Sequence, residues 1–321
     1  MEKRNSRREE RRERLQEVFA DTQQYCQENR TLARAAQKST EETRFYAAED
    51  YPALPSLTQD QIYLSMLEHL EGDSPSENAS IQAIRELQKA TVFVPEKEGR
   101  VTVTRHRSYE AALLLAQTCP GSRIAVLNFA SAVQPGGGVL HGAQAQEEAL
   151  CRCSTLYPAL DSSRMREQYY EVNRREADPL HSDALLWTPG VVICKTDTDF
   201  PERLPEESFV TVDVISCAAP DLRGKKDGTE GKRPSGNALF ALHKKRAAHI
   251  LTVAAAEHAD HLVLGAFGCG AFGNPPDVVA RAWMAALLQY RHRFESIEFA
   301  IYCRDHETAN YDSFARFLGD M

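Results

Sequence analysis

The chain contains no apolar run approaching the roughly 18 residues that a membrane-spanning helix needs, so no membrane association is expected. Its first stretch, Met1 to Arg14, is dense in Arg and Glu and lacks an apolar segment, which excludes a secretory signal. It also lacks any C-x-x-C pair. The eight cysteines are Cys26, Cys119, Cys151, Cys153, Cys194, Cys217, Cys269 and Cys303, and several sit inside apolar runs such as Val192-Ile193-Cys194. That is the pattern of buried thiols in a reducing compartment rather than of a disulfide framework. Cys151 and Cys153 form a C-x-C with no second half-site at a zinc spacing. Excess positive charge is absent too. A formal net charge of −8 argues against a generally basic nucleic-acid binder, and sequence-specific nucleic-acid contact is not expected, but a local positive pocket for a phosphorylated ligand remains possible. No internal repeat is present. These absences together indicate a soluble intracellular protein.

What is present is enough for one large α/β domain with a helical extension: 321 residues, 42% of them hydrophobic. Leu15, Val18, Phe19, Thr22, Tyr25 and Cys26 recur at helical spacing and form one apolar stripe that needs cover. The Arg/Glu-rich start extends this helix, and its mixed charges read as a solvated face rather than a nucleic-acid arm. A helix is predicted over Leu57 to Leu70 with Thr58 as cap and Gln61 three residues on, then a loop over Gly72 to Ser80 and a helix over Ser80 to Lys89. Beyond these the pattern alternates. Strands are predicted at Val101–Thr104, Arg123–Phe129, Val191–Cys194, Thr211–Cys217, Leu262–Gly265 and Ile297–Tyr302. Helices are predicted at Ser108–Thr118, Ser235–His258 and Asp277–Tyr290. Alternation of this kind implies an α/β sheet covered by helices on both faces, with ligands bound beyond the strand carboxyl ends. The stretch Arg223–Arg233 is poor in apolar residues and reads as a surface loop.

Two post-strand loops carry the chemistry. The first holds Gly136-Gly137-Gly138, followed by Val139 and, after a short interval, Gln146-Glu147-Glu148. Three consecutive glycines are costly in entropy and are justified where backbone must approach a ligand or take unusual φ/ψ angles; a flexible turn is the plain alternative. The two acids lie near the start of a helix containing Ala149 to Arg152. Adjacent helical residues point about 100° apart, so Glu147 and Glu148 cannot face each other and two distinct roles are implied. A general acid must be protonated near neutral pH. A helix N-terminus works against that, whereas a bound pyrophosphate works for it, so the substrate itself would help to keep the acid protonated. The second loop runs Gly265-Ala266-Phe267-Gly268-Cys269-Gly270-Ala271-Phe272-Gly273-Asn274 between a strand and a helix. Its small residues expose backbone N–H groups as an anion nest without Lys or Arg. The spacing is not that of the dinucleotide fingerprint. Phe272 either packs on a sugar or fills core space.

Three glycines, seven residues and then Q-E-E, together with Leu127-Asn128-Phe129-Ala130-Ser131 before and Ser154-Thr155-Leu156-Tyr157-Pro158 after, resemble the signature of the bacterial-type poly(ADP-ribose) glycohydrolases. The resemblance runs from the N-terminal helix to about Arg304. It implies a macrodomain-like mixed sheet flanked by helices, with residues 1–90 as a helical extension packed on a catalytic domain of residues 91–321. It implies Glu148 as catalytic acid and then base at the ribose–ribose bond, releasing ADP-ribose from chain ends. Glu147 would hold ribose hydroxyls, with Gln146 and Asn128 in support. Gly136 to Val139 and Gly268, Cys269, Gly270, Ala271 and Phe272 would grip the pyrophosphate, Phe272 also fixing the distal ribose. No cofactor or metal is implied, and the partners would be poly(ADP-ribose), ADP-ribose and ADP-ribosylated proteins. The chain departs from the pattern at His141, where a small residue is usual, at Cys151 and Cys153, and in the stretch Lys225–Arg233. Removal of single ADP-ribose groups from protein or nucleic acid, and a non-catalytic ADP-ribose reader, are the alternatives. The intact Gln146-Glu147-Glu148 speaks against the reader.

Overall fold

Five parallel strands and two companions form one mixed sheet. The computed structural model describes residues 2–54, 97–223, 234–319 and 321. The expected helices Leu57–Leu70 and Ser80–Lys89, the loop between them, and positions 224–233 lie outside the described residues. Within them the strands are β1 (Arg44–Tyr46), β2 (Arg100–Thr104), β3 (Ile124–Phe129), β4 (Leu185–Ile193), β5 (Val210–Cys217), β6 (His261–Leu264) and β7 (Ser296–Ala300). Their order is β1-β4-β5-β3-β6-β7-β2. The strands β5, β3, β6, β7 and β2 are mutually parallel, and β4 runs antiparallel to both β5 and β1.

Parallel strands buried on both faces read as near-continuous apolar runs, and this sheet follows that rule. Along β3, Ile124 and Val126 point to one core while Ala125 and Leu127 point to the other. One core is closed by α3 (Ser108–Thr118) through Tyr109, Ala111 and Ala112, and by α4 (Gln146–Cys153) through Leu150 and Cys151. The other is closed by α5 (Gly236–Ala256), α6 (Pro276–Tyr290) and α7 (Ala309–Leu318), where Trp283 meets Phe299 edge-on at 5.7 Å between ring centroids. The result is a three-layer, macrodomain-like α/β fold.

The N-terminal segment forms α1 (Glu2–Glu28) and α2 (Arg30–Glu42). Leu15, Phe19, Thr22 and Cys26 are buried, so the expected stripe faces the body. The Thr22 hydroxyl donates to the Arg152 carbonyl at 2.6 Å, which ties α1 to the last turn of α4. Asn29 caps α2 by accepting from the N–H groups of Thr31 and Leu32. The same segment then supplies β1 to the sheet edge.

Some elements differ from the sequence reading. Strand β4 begins at Leu185 rather than Val191, because Pro189-Gly190 forms a bulge opposite Asp213 and the strand continues through it. Gly190 sits there at φ +69°, and its N–H donates to the Asp213 carboxylate at 2.9 Å. Strand β7 ends at Ala300, which frees Ile301 and Tyr302 to line a cavity. Helices α2 and α7 and the three-residue β1 were not anticipated.

One buried ion pair fixes the segments beside the site. Arg246, on α5 and 1% exposed, pairs with Asp183 at 2.9 Å and donates to the carbonyls of Ala218, Leu180 and His181. Burial would raise the Asp183 carboxyl, but the Arg246 charge and the hydrogen bonds from Lys245 and Arg246 outweigh it and hold the group below its ordinary value. Removing one member of a buried pair strands the other charge, which typically costs about 3–5 kcal/mol. Asp183→Ala is therefore expected to lower unfolding stability by that order in urea titration. A change under about 1 kcal/mol would show that Arg246 is satisfied by the three carbonyls alone.

Candidate active site

The carboxyl ends of the parallel strands converge on one cavity of about 590 Å³. Its wall takes Ser131 from beyond β3, Ala219 from beyond β5, Gly268 from beyond β6, Tyr302 from beyond β7 and Arg107 from beyond β2. This is where an open α/β sheet places its ligands. Both glycine loops, Gln146 and both acids reach it.

The acid pair is set by the first turn of α4, which begins at Gln146, one turn earlier than Ala149. Gln146 clamps that turn to the end of β3. Its amide nitrogen donates to the Leu127 carbonyl at 2.7 Å and to Ser108 Oγ at 3.0 Å, and its oxygen accepts from Phe129 N–H at 2.9 Å. Glu147 and Glu148 then diverge, as their helical offset requires. Glu147 turns toward β3, accepting from Ser131 N–H at 2.7 Å and from Asn128 Nδ2 at 3.4 Å. Asn128 is itself held by donation to Ser216 Oγ at 3.0 Å. Glu148 turns toward the glycine loop, where Oε1 accepts from Gly138 N–H at 2.8 Å. Its Oε2 is buried with no hydrogen-bond partner among the described residues.

The glycine loop owes its composition to these carboxyls. Gly136 and Gly137 have φ +65° and +58°, a region that L side chains rarely adopt. A Cβ on Gly137 would stand 2.5 Å from Glu148 Oε1 and 3.0 Å from Glu147 Oε2, and one on Gly136 would strike the Tyr157 ring at 2.7 Å. The second loop is equally tight at Gly268, where φ is +76° and a Cβ would stand 2.5 Å from the Ala219 Cβ. Asn274 braces this loop, donating to the carbonyls of Gly268 and Pro220 and meeting His243 Nε2 at 2.9 Å. Phe272 is half-buried. It packs against the core with part of its surface, lines the cavity, and carries the Arg223 guanidinium over its ring at 4.9 Å.

Electrostatics mark out Glu147. Burial pushes the Glu147 carboxyl up to about 8; the Ser131 N–H opposes this and the Glu148 charge adds to it. Burial thus favours the neutral form of Glu147, and a neutral carboxyl can donate as well as accept.

The sequence-derived residues divide in position. Gly137, Gly138, Gln146, Glu147, Glu148, Gly268, Gly270, Ala271 and Phe272 line the cavity, whereas Asn128, Gly136, Val139 and Cys269 stand behind its wall. Val139 is fully buried in the core, and Cys269 is half-buried with its thiol pushed up by burial. His141 is exposed and outside the lining. Cys151 and Cys153 are fully buried beneath the site. Arg107, Asp197 and Tyr302 also line the cavity and were not anticipated. Asp197 accepts from Tyr109 N–H at 2.9 Å and leaves its second oxygen buried without a partner. Tyr302 carries Arg107 over its ring at 3.9 Å. Position just after a strand was the available signal for Arg107 and Tyr302.

A macrodomain-like sheet with an acid pair set into its ligand cleft defines the class of protein. Residues 13–196 match the family described as microbial-type PARG, catalytic domain, and the chain belongs to that family. Solved structures agree over nearly the whole length. The poly(ADP-ribose) glycohydrolase of Thermomonospora curvata bound to the inhibitor ADP-HPD is 29% identical, with 94% of this chain and 98% of that one covered and a TM-score of 0.69. The Deinococcus radiodurans enzyme in complex with ADP-ribose is 31% identical, with 89% and 98% covered and a TM-score of 0.67. No curated protein matches the chain.

Two outcomes follow from the site. The raised Glu147 carboxyl contributes stability that is fully present below about pH 4.5, its unfolded value, and is lost as pH rises through about 8. Wild type should thus lose stability relative to Glu147→Gln between pH 5 and pH 9 in denaturant titrations; parallel profiles would mean that Glu147 is not buried as a neutral acid. Gly137→Val should abolish ADP-ribose binding in calorimetry, because its branched side chain displaces both carboxyls. Affinity within twofold of wild type would contradict the close approach.

Proposed function

We propose that this chain is a poly(ADP-ribose) glycohydrolase that releases ADP-ribose from chain ends, with Glu148 as general acid and base. The observation that carries this reading is the state of the Glu148 carboxyl. One oxygen is fixed by Gly138 N–H, and the other has no hydrogen-bond partner among the described residues, so its bonding capacity is left for the reacting oxygen.

The chemistry then runs in two steps. Glu148 gives its proton to the departing ribose hydroxyl oxygen as the bond from the anomeric carbon to that oxygen breaks. The bonding pair leaves with the oxygen, and an oxocarbenium-like charge develops on the distal ribose. Water adds to the anomeric carbon and returns a proton to Glu148. Glu147, protonated and beside Asn128, holds ribose hydroxyls. The N–H groups of the two glycine loops take the pyrophosphate, and Phe272 positions the distal ribose. The pyrophosphate charge in turn disfavours ionisation of a neighbouring carboxyl. Proteins carrying the polymer are the macromolecular partners. The division into a helical extension (1–90) and a catalytic domain (91–321) belongs to the same proposal, supported by the burial of Leu15, Phe19 and Thr22 against the body.

General acid catalysis contributes about 100- to 10,000-fold. Glu148→Gln should lose turnover on poly(ADP-ribose) by that order while its ADP-ribose affinity stays within a few-fold, read by product assay and calorimetry together. Near wild-type turnover in the variant would remove Glu148 from the mechanism.

A further inference from the structure

The first turns of α1 separate charge by face. At about 100° per residue, Arg7, Arg8, Arg11, Arg12 and Arg14 fall within one sector of about 160°, and Glu9, Glu10, Glu13 and Glu17 fall within an opposite sector of about 100°. Leu15, Phe19 and Thr22 lie within the arginine sector. The arginines therefore prolong the very face that packs on the body, and they do so past its edge, since Arg7, Arg8 and Arg12 are exposed. Glu and Arg do stand three or four residues apart along this helix, as Arg7/Glu10 and Glu9/Arg12 do, a spacing that permits pairs, yet the arginines on this face do not close them. No carboxylate lies within ion-pair distance of Arg7, Arg8 or Arg12 among the described residues.

The ridge is anchored at the cavity mouth. Arg11 and Arg14 both lie over the Phe200 ring, at 5.5 and 3.8 Å. Arg11 pairs with Asp199 at 3.0 Å, and the other Asp199 oxygen pairs with Arg107, which lines the cavity. On the other side, the Arg12 carbonyl packs on Gly142, where φ is +66° and a Cβ would overlap it. Gln16 donates to the Leu140 carbonyl at 3.1 Å. Two residues on from Gly142, Gln144 is again cavity wall. The free guanidinium groups thus stand within a helical turn of groups bonded to the rim.

We infer that the arginine face of α1 is a docking track for the polyanionic part of the polymer that extends beyond the ADP-ribose unit held in the cavity. This rests on the poly(ADP-ribose) reading of the site. Guanidinium groups suit pyrophosphate through charge-assisted, bidentate hydrogen bonds. Linked to the cavity, even weak contacts raise the affinity for a long chain, because the second engagement is intramolecular. The track explains how a chain of net charge −8 meets a polyanion: one face of α1 presents arginines beside the cavity while its glutamates face away.

The test uses the full chain in the Glu148→Gln background, with and without Arg7→Gln/Arg8→Gln/Arg12→Gln, titrated with labelled long poly(ADP-ribose), with ADP-ribose, and with single-stranded DNA of equal phosphate number. The triple variant should bind polymer on the order of tenfold more weakly, and its log affinity against log salt should be shallower by about 2, at roughly 0.7 per single-strand phosphate contact. ADP-ribose affinity should not change, and DNA should bind the parent far more weakly than polymer does. Unchanged polymer affinity and salt slope would overturn the track, as would a parallel loss of ADP-ribose affinity. DNA bound by the parent as tightly as polymer, and lost in the triple variant, would make the ridge a nucleic-acid arm instead. If the wild-type chain releases no ADP-ribose from polymer, the functional reading fails separately, and the affinity comparison still decides the role of the ridge.

Discussion

The carboxyls of Glu147 and Glu148 lie so close to the Cα of Gly137 that no side chain fits between them. Most of the site depends on that approach. It requires a left-handed backbone at Gly136 and Gly137, which only glycine adopts without strain. It turns Gly138 N–H onto Glu148 and leaves the second oxygen of that acid unpaired in the wall. The packing behind it is correspondingly rigid. Arg152, buried on α4, donates to the Ala143 carbonyl at 2.6 Å, so the far end of the glycine loop hangs from the helix that carries the acids. The same residue accepts from Thr22 of α1, and the buried Lys195 donates to the Val18 carbonyl at 2.9 Å and pairs with Asp21 at 2.7 Å. Helix α1 thereby braces α4 from outside.

Burial then divides the labour between two adjacent residues of one type. Glu147 is held on the sheet side, where burial favours its neutral form, while Glu148 faces the glycine loop. The second loop lines the cavity mainly with small residues and backbone, at Gly268, Gly270 and Ala271.

Much of this was legible before any coordinates. Strands β3, β5 and β6 are short apolar runs because both of their faces are buried, and the glycine triplet and the acids announce themselves by spacing. Other parts were not. The strand reads from Val191, and only the pairing of β4 with β5 shows that it begins at Leu185 and bulges at Pro189-Gly190. Helix α2 buries little more than Leu32, Ala36 and Ser39, a stripe too thin to stand out, and β1 has three residues. Asp197, Arg107 and Tyr302 are ordinary residues far apart in the chain; topology alone brings them to one wall. The Arg- and Glu-rich start of α1 read as a solvated face of mixed charge; its segregation by face became meaningful only with the position of Asp199 and Arg107.

The most direct measurement is the crystal structure of the Glu148→Gln chain with ADP-ribose. The pyrophosphate is expected against the backbone N–H groups of the two glycine loops, with the anomeric carbon of the distal ribose facing the side chain at position 148. A pyrophosphate bound instead to the rim arginines, with the distal ribose turned away from position 148, would contradict the role assigned to the Gly137 approach and to Glu148.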